Sequence, residues 1–210
     1  MFGTHDLWLF ILSGLMLNIA PGPDSLYIAS RAAGQGFKAG SAAALGIGLG
    51  TFVHIFAAAL GLSAILATSA TAFTIVKLIG AAYLIWVGIS MLRSKTSTPG
   101  ELAKLQAAPL SSIFWQGFWT NVLNPKVALF FLAFVPQFID ATAPSKAVAF
   151  IFLGAIFNFN GMLWCHTLAY TAAKLSRLIQ PSKGITQWLN RSMGALFLFL
   201  GIKLALSRQA

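Results

Sequence analysis

The stretch Asn18-Ile19-Ala20-Pro21-Gly22-Pro23-Asp24 interrupts the first long apolar segment of the chain. A helix long enough to cross a bilayer would otherwise run unbroken through it. Each proline removes a backbone donor and clashes with the preceding turn. In hydrocarbon, the polar groups this frees must be satisfied by protein or by a water-lined cavity. A broken helix that carries an acid at membrane depth is therefore expected to mark a functional site. A second interruption, Asn121-Val122-Leu123-Asn124-Pro125-Lys126, lies about half a chain later.

The whole composition agrees with a membrane setting. Of 210 residues, 58% are hydrophobic and 9% charged, and the mean hydropathy is +0.80. Soluble domains carry roughly 25% charged residues, and so few charges cannot cover a water-soluble surface. The net charge is +10, from 14 Lys and Arg against 4 Asp and Glu. In a soluble protein that excess would suggest nucleic acid. Here no basic, aromatic-interleaved face lies outside the apolar segments, so nucleic acid is not an expected partner, and the basic residues read as topology signals. The single cysteine, Cys165, excludes an intramolecular disulfide, a redox cysteine pair and a thiolate metal cage. Residues 1–6 lack Lys and Arg, so the chain is expected to start on its first span rather than on a cleaved signal peptide.

Six spans are expected, at about Leu7–Ala29, Ala39–Leu66, Phe73–Leu92, Ile113–Phe138, Ala147–Ala172 and Trp188–Leu206. Each can cross ~30 Å of hydrocarbon, which takes about 20 residues. Spans one and four carry the breaks. The expected loops are Ser30–Lys38, Ala67–Ala72, the polar linker Arg93–Ser112, a short one near Asp140–Lys146, and Ala173–Thr186. Arg31, Lys38, Arg93, Lys95, Lys104, Lys174, Arg177 and Lys183 fall on the odd-numbered loops, against Lys146 and Arg208 on the other side. The positive-inside rule makes the odd loops cytoplasmic and both termini periplasmic.

The halves echo one another. Asn18 and Pro21 match Asn121 and Pro125 loosely, and the run Gly80-Ala81-Ala82-Tyr83 with Gly88 and Arg93 echoes Gly194-Ala195-Leu196-Phe197 with Gly201 and Arg208. Repeats of three spans must insert with opposite orientation. The expected fold is thus all-α and polytopic: one transporter domain over 1–210, built as two inverted three-helix repeats. Repeat one covers about 1–93, the linker about 93–112 and repeat two about 113–210. Paired broken helices in inverted repeats are the signature of secondary transporters, with substrate near the midplane.

The breaks carry complementary chemistry. Pro23 suits the first turn of a new helix, which puts Asp24 at that helix's positive end. There Asp24 could cap, bind a substrate ammonium, carry a proton or pair with a cation. Asn124 is a good N-cap and Pro125 a good first helical residue, so Lys126 sits where the helix end is already positive. It lies about 14 residues into its span, ~20 Å at 1.5 Å per residue, a long way to snorkel. A carboxylate is therefore expected beside it, from Asp24 or from substrate.

Other polar residues are candidates with structural readings beside them. His54 could relay protons or make a helix contact. Asn158 and Asn160 could bind substrate or join helices. Tyr27 and Gln137 are further candidates, whereas Cys165 and His166 point to different faces and read as structural. Gly46-Ile47-Gly48-Leu49-Gly50 follows no strand, which excludes a dinucleotide loop. Gly46 and Gly50 lie four apart on one helix face and read as a close-packing signal, within the chain or between copies, so a homodimer is open.

Several runs resemble the LysE/RhtB family of bacterial amino-acid exporters. They are the run from Ile19 to Arg31 containing Pro21-Gly22-Pro23-Asp24, then Gly36, Gly40 and Leu45-Gly46-Ile47 through His54. Gly80 to Gly88 ending at Arg93, and Gly117 through Asn124-Pro125-Lys126 to Pro136-Gln137-Phe138, complete the set. The resemblance implies an inner-membrane carrier with six spans that exports amino acids such as threonine, homoserine, leucine or lysine, driven by the proton gradient. It carries over to Pro21, Gly22, Pro23, Asp24, Asn124, Pro125 and Lys126, and it leaves Asn158 and Asn160 unsupported.

The expected protein is a secondary amino-acid exporter by proton antiport, not an enzyme, with no cofactor and no metal site. Its partners would be the amino acid, protons and membrane lipid. The expected site gathers Asp24, Lys126, Asn18, Asn121, Asn124, His54, Tyr27 and Asn158 around the prolines and Gly22. The alternative is a metal-ion or other small-solute exporter, which one membrane acid, one cysteine and two buried histidines serve poorly.

Overall fold

A computed structural model describes residues 2–63, 70–93, 106–140 and 142–175, with further helical positions at 191, 194–195, 198–199, 201–202 and 205–206. Among the described residues the regular structure is helical, apart from a bridge pairing Thr4 with Ile139. Helix α1 is Leu7–Ile19 and α2 is Pro23–Gln35. Helix α3 is Phe37–Ala57, continued by a π-helical turn at Ala58–Leu62. Helix α4 is Ala70–Arg93. Helix α5 is Leu110–Val122 and α6 is Pro125–Leu129, extended by π turns at Phe130–Phe134 and a 3-10 turn at Val135–Phe138. Helix α7 is Lys146–Leu175.

Among the described residues, two helices are long and apolar enough to cross a membrane, Phe37–Gly61 and Lys146–Lys174. Two further spans exist if each bent pair counts as one: Leu7–Ile19 with Pro23–Gln35, bent by 54°, and Leu110–Val122 with Pro125–Phe138, bent by 44°. Both bends fall where proline interrupts the sequence. The third expected span is the helix Ala70–Arg93. The sixth lies largely outside the described residues.

Two boundaries differ from expectation. Helix α2 runs on through Ser30 to Gln35, so the first expected loop shrinks to Gly36, whose φ of 84° turns the chain directly into α3. Glycine adopts that left-handed region without the penalty a side chain would incur. As a result Arg31 is not a loop cation. It is only 5% exposed and held between helices.

Helix α3 packs mainly on α5 and then on α7. Its small residues permit this. A Cβ at Gly46 would run into the Phe114 carbonyl, and one at Gly50 would lie 2.8 Å from the Phe118 oxygen and 2.9 Å from the Asn121 Cβ. From the other side, Gly117 abuts the Ala43 backbone. The backbones touch where side chains would stand, as in tightly packed membrane helices. A core rich in phenylalanine joins the bent helices to α7: Phe10, Phe130, Phe131, Phe134, Phe138 and Phe150 are all buried. The amino-terminal residues close this end, with the His5 amide donating to the Phe138 carbonyl at 3.1 Å and the Asp140 amide to the Gly3 carbonyl at 2.8 Å.

A Gly46→Ala variant should lower the melting temperature in detergent, with a cost of about 1–3 kcal/mol from overpacking against Phe114. Gly34→Ala, where a Cβ meets nothing within 4 Å, should be neutral or slightly stabilising. Equal melting temperatures for the two would contradict the packing described.

Candidate functional site

Each break leaves a helix end inside the protein, and each is satisfied by the other. Helix α1 stops because Pro21 and Pro23 cannot supply amide donors, which leaves carbonyls at its C-terminal end unpaired. The Lys126 ammonium takes two of them, donating to Leu17 O and Ala20 O, both at 3.1 Å. The lysine that sits unfavourably at the start of its own helix thus lies against the negative end of another. Of the two carboxylates expected beside Lys126, Asp24 is not its hydrogen-bond partner here; backbone carbonyls are. Asp24 lies within electrostatic reach but makes no direct ion pair with it.

Gly22 owes its identity to this ammonium. Its backbone is extended, with φ of −163°, a shape any residue adopts. A Cβ there, however, would stand 3.0 Å from Lys126 Nζ. Pro23 opens α2 and Pro125 opens α6, and Asn124 caps α6 as expected, its Oδ1 accepting from the Lys126 amide at 3.0 Å.

Asp24 is the reciprocal tie. Its Oδ2 accepts from Asn121 Nδ2 at 2.8 Å. Asn121 is 2% exposed and joins four elements. Its Oδ1 stands 3.3 Å from the Thr51 hydroxyl of α3. Its carbonyl accepts from His54 Nε2 at 2.9 Å and from the Asn124 amide at 2.9 Å. A carbonyl cannot donate, so His54 carries a proton on Nε2. The imidazole also stacks on Phe131, with centroids 6.3 Å apart.

Between these groups lies a largely enclosed cavity of about 30 Å³. Asn18, Asp24, Asn121, Lys126 and Asn158 line its polar part. Three buried polar atoms in this region have no hydrogen-bond partner: Asn18 Nδ2, Asp24 Oδ1 and Asn124 Nδ2. Buried polar groups are nearly always paired, with protein or with water; the Asn124 amide lies near the Asp24 carboxylate, and the remaining capacity on this cavity suits a water or a polar group of a ligand. Lys126 adds to this, since an ammonium has three donors and carbonyls take two.

Not every sequence candidate reaches the cavity. Tyr27 points between α2 and α5, its hydroxyl 3.0 Å from the Ile113 carbonyl and 2.9 Å from Gln116 Oε1. With Arg31, which donates to Gln116, Gln35 and the Gln106 carbonyl, it ties α2 to α5 away from the break. Gln137 donates to the Ala133 carbonyl one turn back. Asn160 does not line the cavity, and His54 touches only its frame. Pro21, Pro23 and Pro125 are exposed and act through the backbone. Conversely, Cys165, read from sequence as structural, lines the cavity beside Met162. The spacing Asn158, Met162, Cys165 places them on one face of α7 and was the available signal.

Apolar helices, two of them broken, around a buried polar cavity define a helical membrane protein with an internal site. The family model for LysE type translocators matches residues 15–208, and the chain belongs to that family. The leucine efflux proteins of Salmonella typhimurium and of Enterobacter sp. are 28% and 29% identical to it over 204 residues, covering 97% of this chain and 96% and 97% of theirs. An uncharacterised membrane protein of Pseudomonas aeruginosa is 30% identical over 207 residues, covering 97% of this chain and 96% of its own. No solved structure matches.

Asn121→Ala should cost about 1–3 kcal/mol of stability, because it leaves the buried Asp24 oxygen without its donor. Asn124→Ala should cost about 1 kcal/mol as a lost cap. Thermal unfolding of both variants in detergent checks the order, and an Asn121 variant as stable as the parent would remove the residue from its joining role.

Proposed function

We propose that the protein exports amino acids from the cytoplasm by exchange for protons. The observation that carries this reading is the unpaired couple Asp24 Oδ1 and Asn18 Nδ2 on one largely enclosed cavity, in a chain whose relatives include leucine efflux proteins. An amino acid is a zwitterion. Its ammonium would meet Asp24, and its carboxylate would meet Asn18 and the third donor of Lys126. A proton reaching Asp24 from outside neutralises the carboxylate and displaces the ammonium. The protonated carrier then returns and gives up the proton inside, so one proton enters as one amino acid leaves.

An inverted repeat supplies the machinery for this. Asn121 of the second break binds the acid of the first, and Lys126 binds the carbonyls of the first. Gly50 of α3 abuts Asn121, as Gly161 of α7 abuts Asn18. Gly88 meets Gly194 and Gly201 meets the Ala81 carbonyl, so the two glycine-bearing runs of the halves pack on each other. This pairing supports two three-span units of opposite orientation, with the basic loops cytoplasmic in a bacterial inner membrane.

Proteoliposomes loaded with labelled amino acids test the reading. Efflux of at least one neutral amino acid should rise with an imposed pH gradient, acid outside. It should fall roughly 10- to 100-fold in Asp24→Asn, the ~1.5–3 kcal/mol of a charged hydrogen bond. Efflux indifferent to both gradient and variant would refute proton coupling through Asp24.

Cys165, the single cysteine, offers an independent check. Its alkylation by a small maleimide should slow several-fold when a transported amino acid saturates the site. Unchanged labelling would place the substrate elsewhere.

A further inference from the structure

Apolar residues complete the lining of the cavity: Leu17 and Val127 on the broken helices, Ile47 and Gly48 of α3, and Phe157 and Met162 of α7. At about 30 Å³ the space holds a water or two and no amino acid, so a wall has to yield on binding. The polar wall is tied across the breaks by Asp24, Asn121 and Lys126. Ile47 is buried, and Phe157 is buried and stacked on Phe130 with centroids 4.7 Å apart.

Met162 differs. It is half-buried, unbranched and flexible. It lies so close over Gly48 that a Cβ there would collide with its Sδ. Its backbone is anchored, because His166 Nδ1 donates to the Met162 carbonyl at 2.9 Å while Nε2 accepts from the Ser41 hydroxyl of α3 at 3.1 Å. The side chain can swing while α3 and α7 stay joined.

We propose that Met162, seated on Gly48, is the movable wall of a side-chain subsite between α3 and α7, and that this subsite selects neutral amino acids with flexible aliphatic side chains. The inference rests on the amino-acid reading above and adds the substrate class to it. Charge supports it: the cavity lining holds one carboxylate and one ammonium, Asp24 and Lys126. A zwitterion's two ends engage both. A lysine or glutamate side chain would then enter an apolar subsite with no counter-charge left, where burying an unpaired ion is costly. A leucine or methionine side chain instead replaces the Met162 thioether with like material.

The test compares export of alanine, leucine, methionine, phenylalanine, lysine and glutamate by the full chain and by Gly48→Ala, Met162→Ala and Met162→Leu in proteoliposomes. The parent should prefer leucine and methionine and export lysine and glutamate at least 10-fold more slowly. Gly48→Ala, whose added methyl takes the place where the Met162 thioether now sits and so narrows the subsite, should lower the leucine-to-alanine ratio of kcat/KM about 10-fold, the scale on which apolar pockets resolve methylenes. Met162→Ala should raise phenylalanine relative to leucine, and Met162→Leu should keep the parental order. Substrate-induced thermal shifts should follow the same order, separating altered selection from misfolding. Parental export of lysine as fast as leucine, or variants that scale all substrates equally, would overturn the subsite while leaving the exporter intact. Parental protein that exports no amino acid would overturn both.

Discussion

The fold depends on the Lys126 ammonium lying against the carbonyls of Leu17 and Ala20. Prolines in a membrane helix strand backbone groups that hydrocarbon cannot satisfy. Here the stranded carbonyls of one break receive the cation of the other, while the acid of the first receives an amide from Asn121 of the second. Neither break is a tolerable membrane structure alone. Together they form a polar joint between half-helices, enclosed by α3 and α7.

That joint also explains where a ligand belongs. Its ties consume most of the polar capacity at the breaks and leave unpaired atoms on one cavity, Asn18 Nδ2 and Asp24 Oδ1. A largely enclosed, water-sized space between two bent helices suits the carrier proposed above. The bends of 54° and 44° fall at the joint itself, so a substrate that exchanged partners with Asp24, as proposed, would act where the half-helices meet.

Much of this was legible in the sequence, and the losses have physical causes. Both breaks, the first positions of α2 and α6 and the Asn124 cap follow from proline and capping rules that act within a few residues. The face shared by Gly46 and Gly50 was readable because helical spacing fixes it. Lys126 reads as misplaced in the sequence, and Pro21 announces a free carbonyl at Leu17 four residues back, but which cation reaches that carbonyl depends on tertiary approach. Arg31 was assigned to a loop because a cation near Gly34 and Gly36 is usually exposed, whereas Tyr27, Gln35 and Gln116 bury it. Cys165 reads as structural and Met162 goes unmarked in the sequence, because apolar lining carries no signal in composition; only their helical spacing from Asn158 shows the shared face.

The most direct measurement is an experimental structure of the protein with leucine bound. The account predicts the ammonium on Asp24 Oδ1 and the carboxylate on Asn18, with Lys126 still on the carbonyls of Leu17 and Ala20 and the aliphatic side chain in the place of a displaced Met162. Leucine bound away from the breaks, or Lys126 withdrawn from those carbonyls with the fold intact, would contradict it.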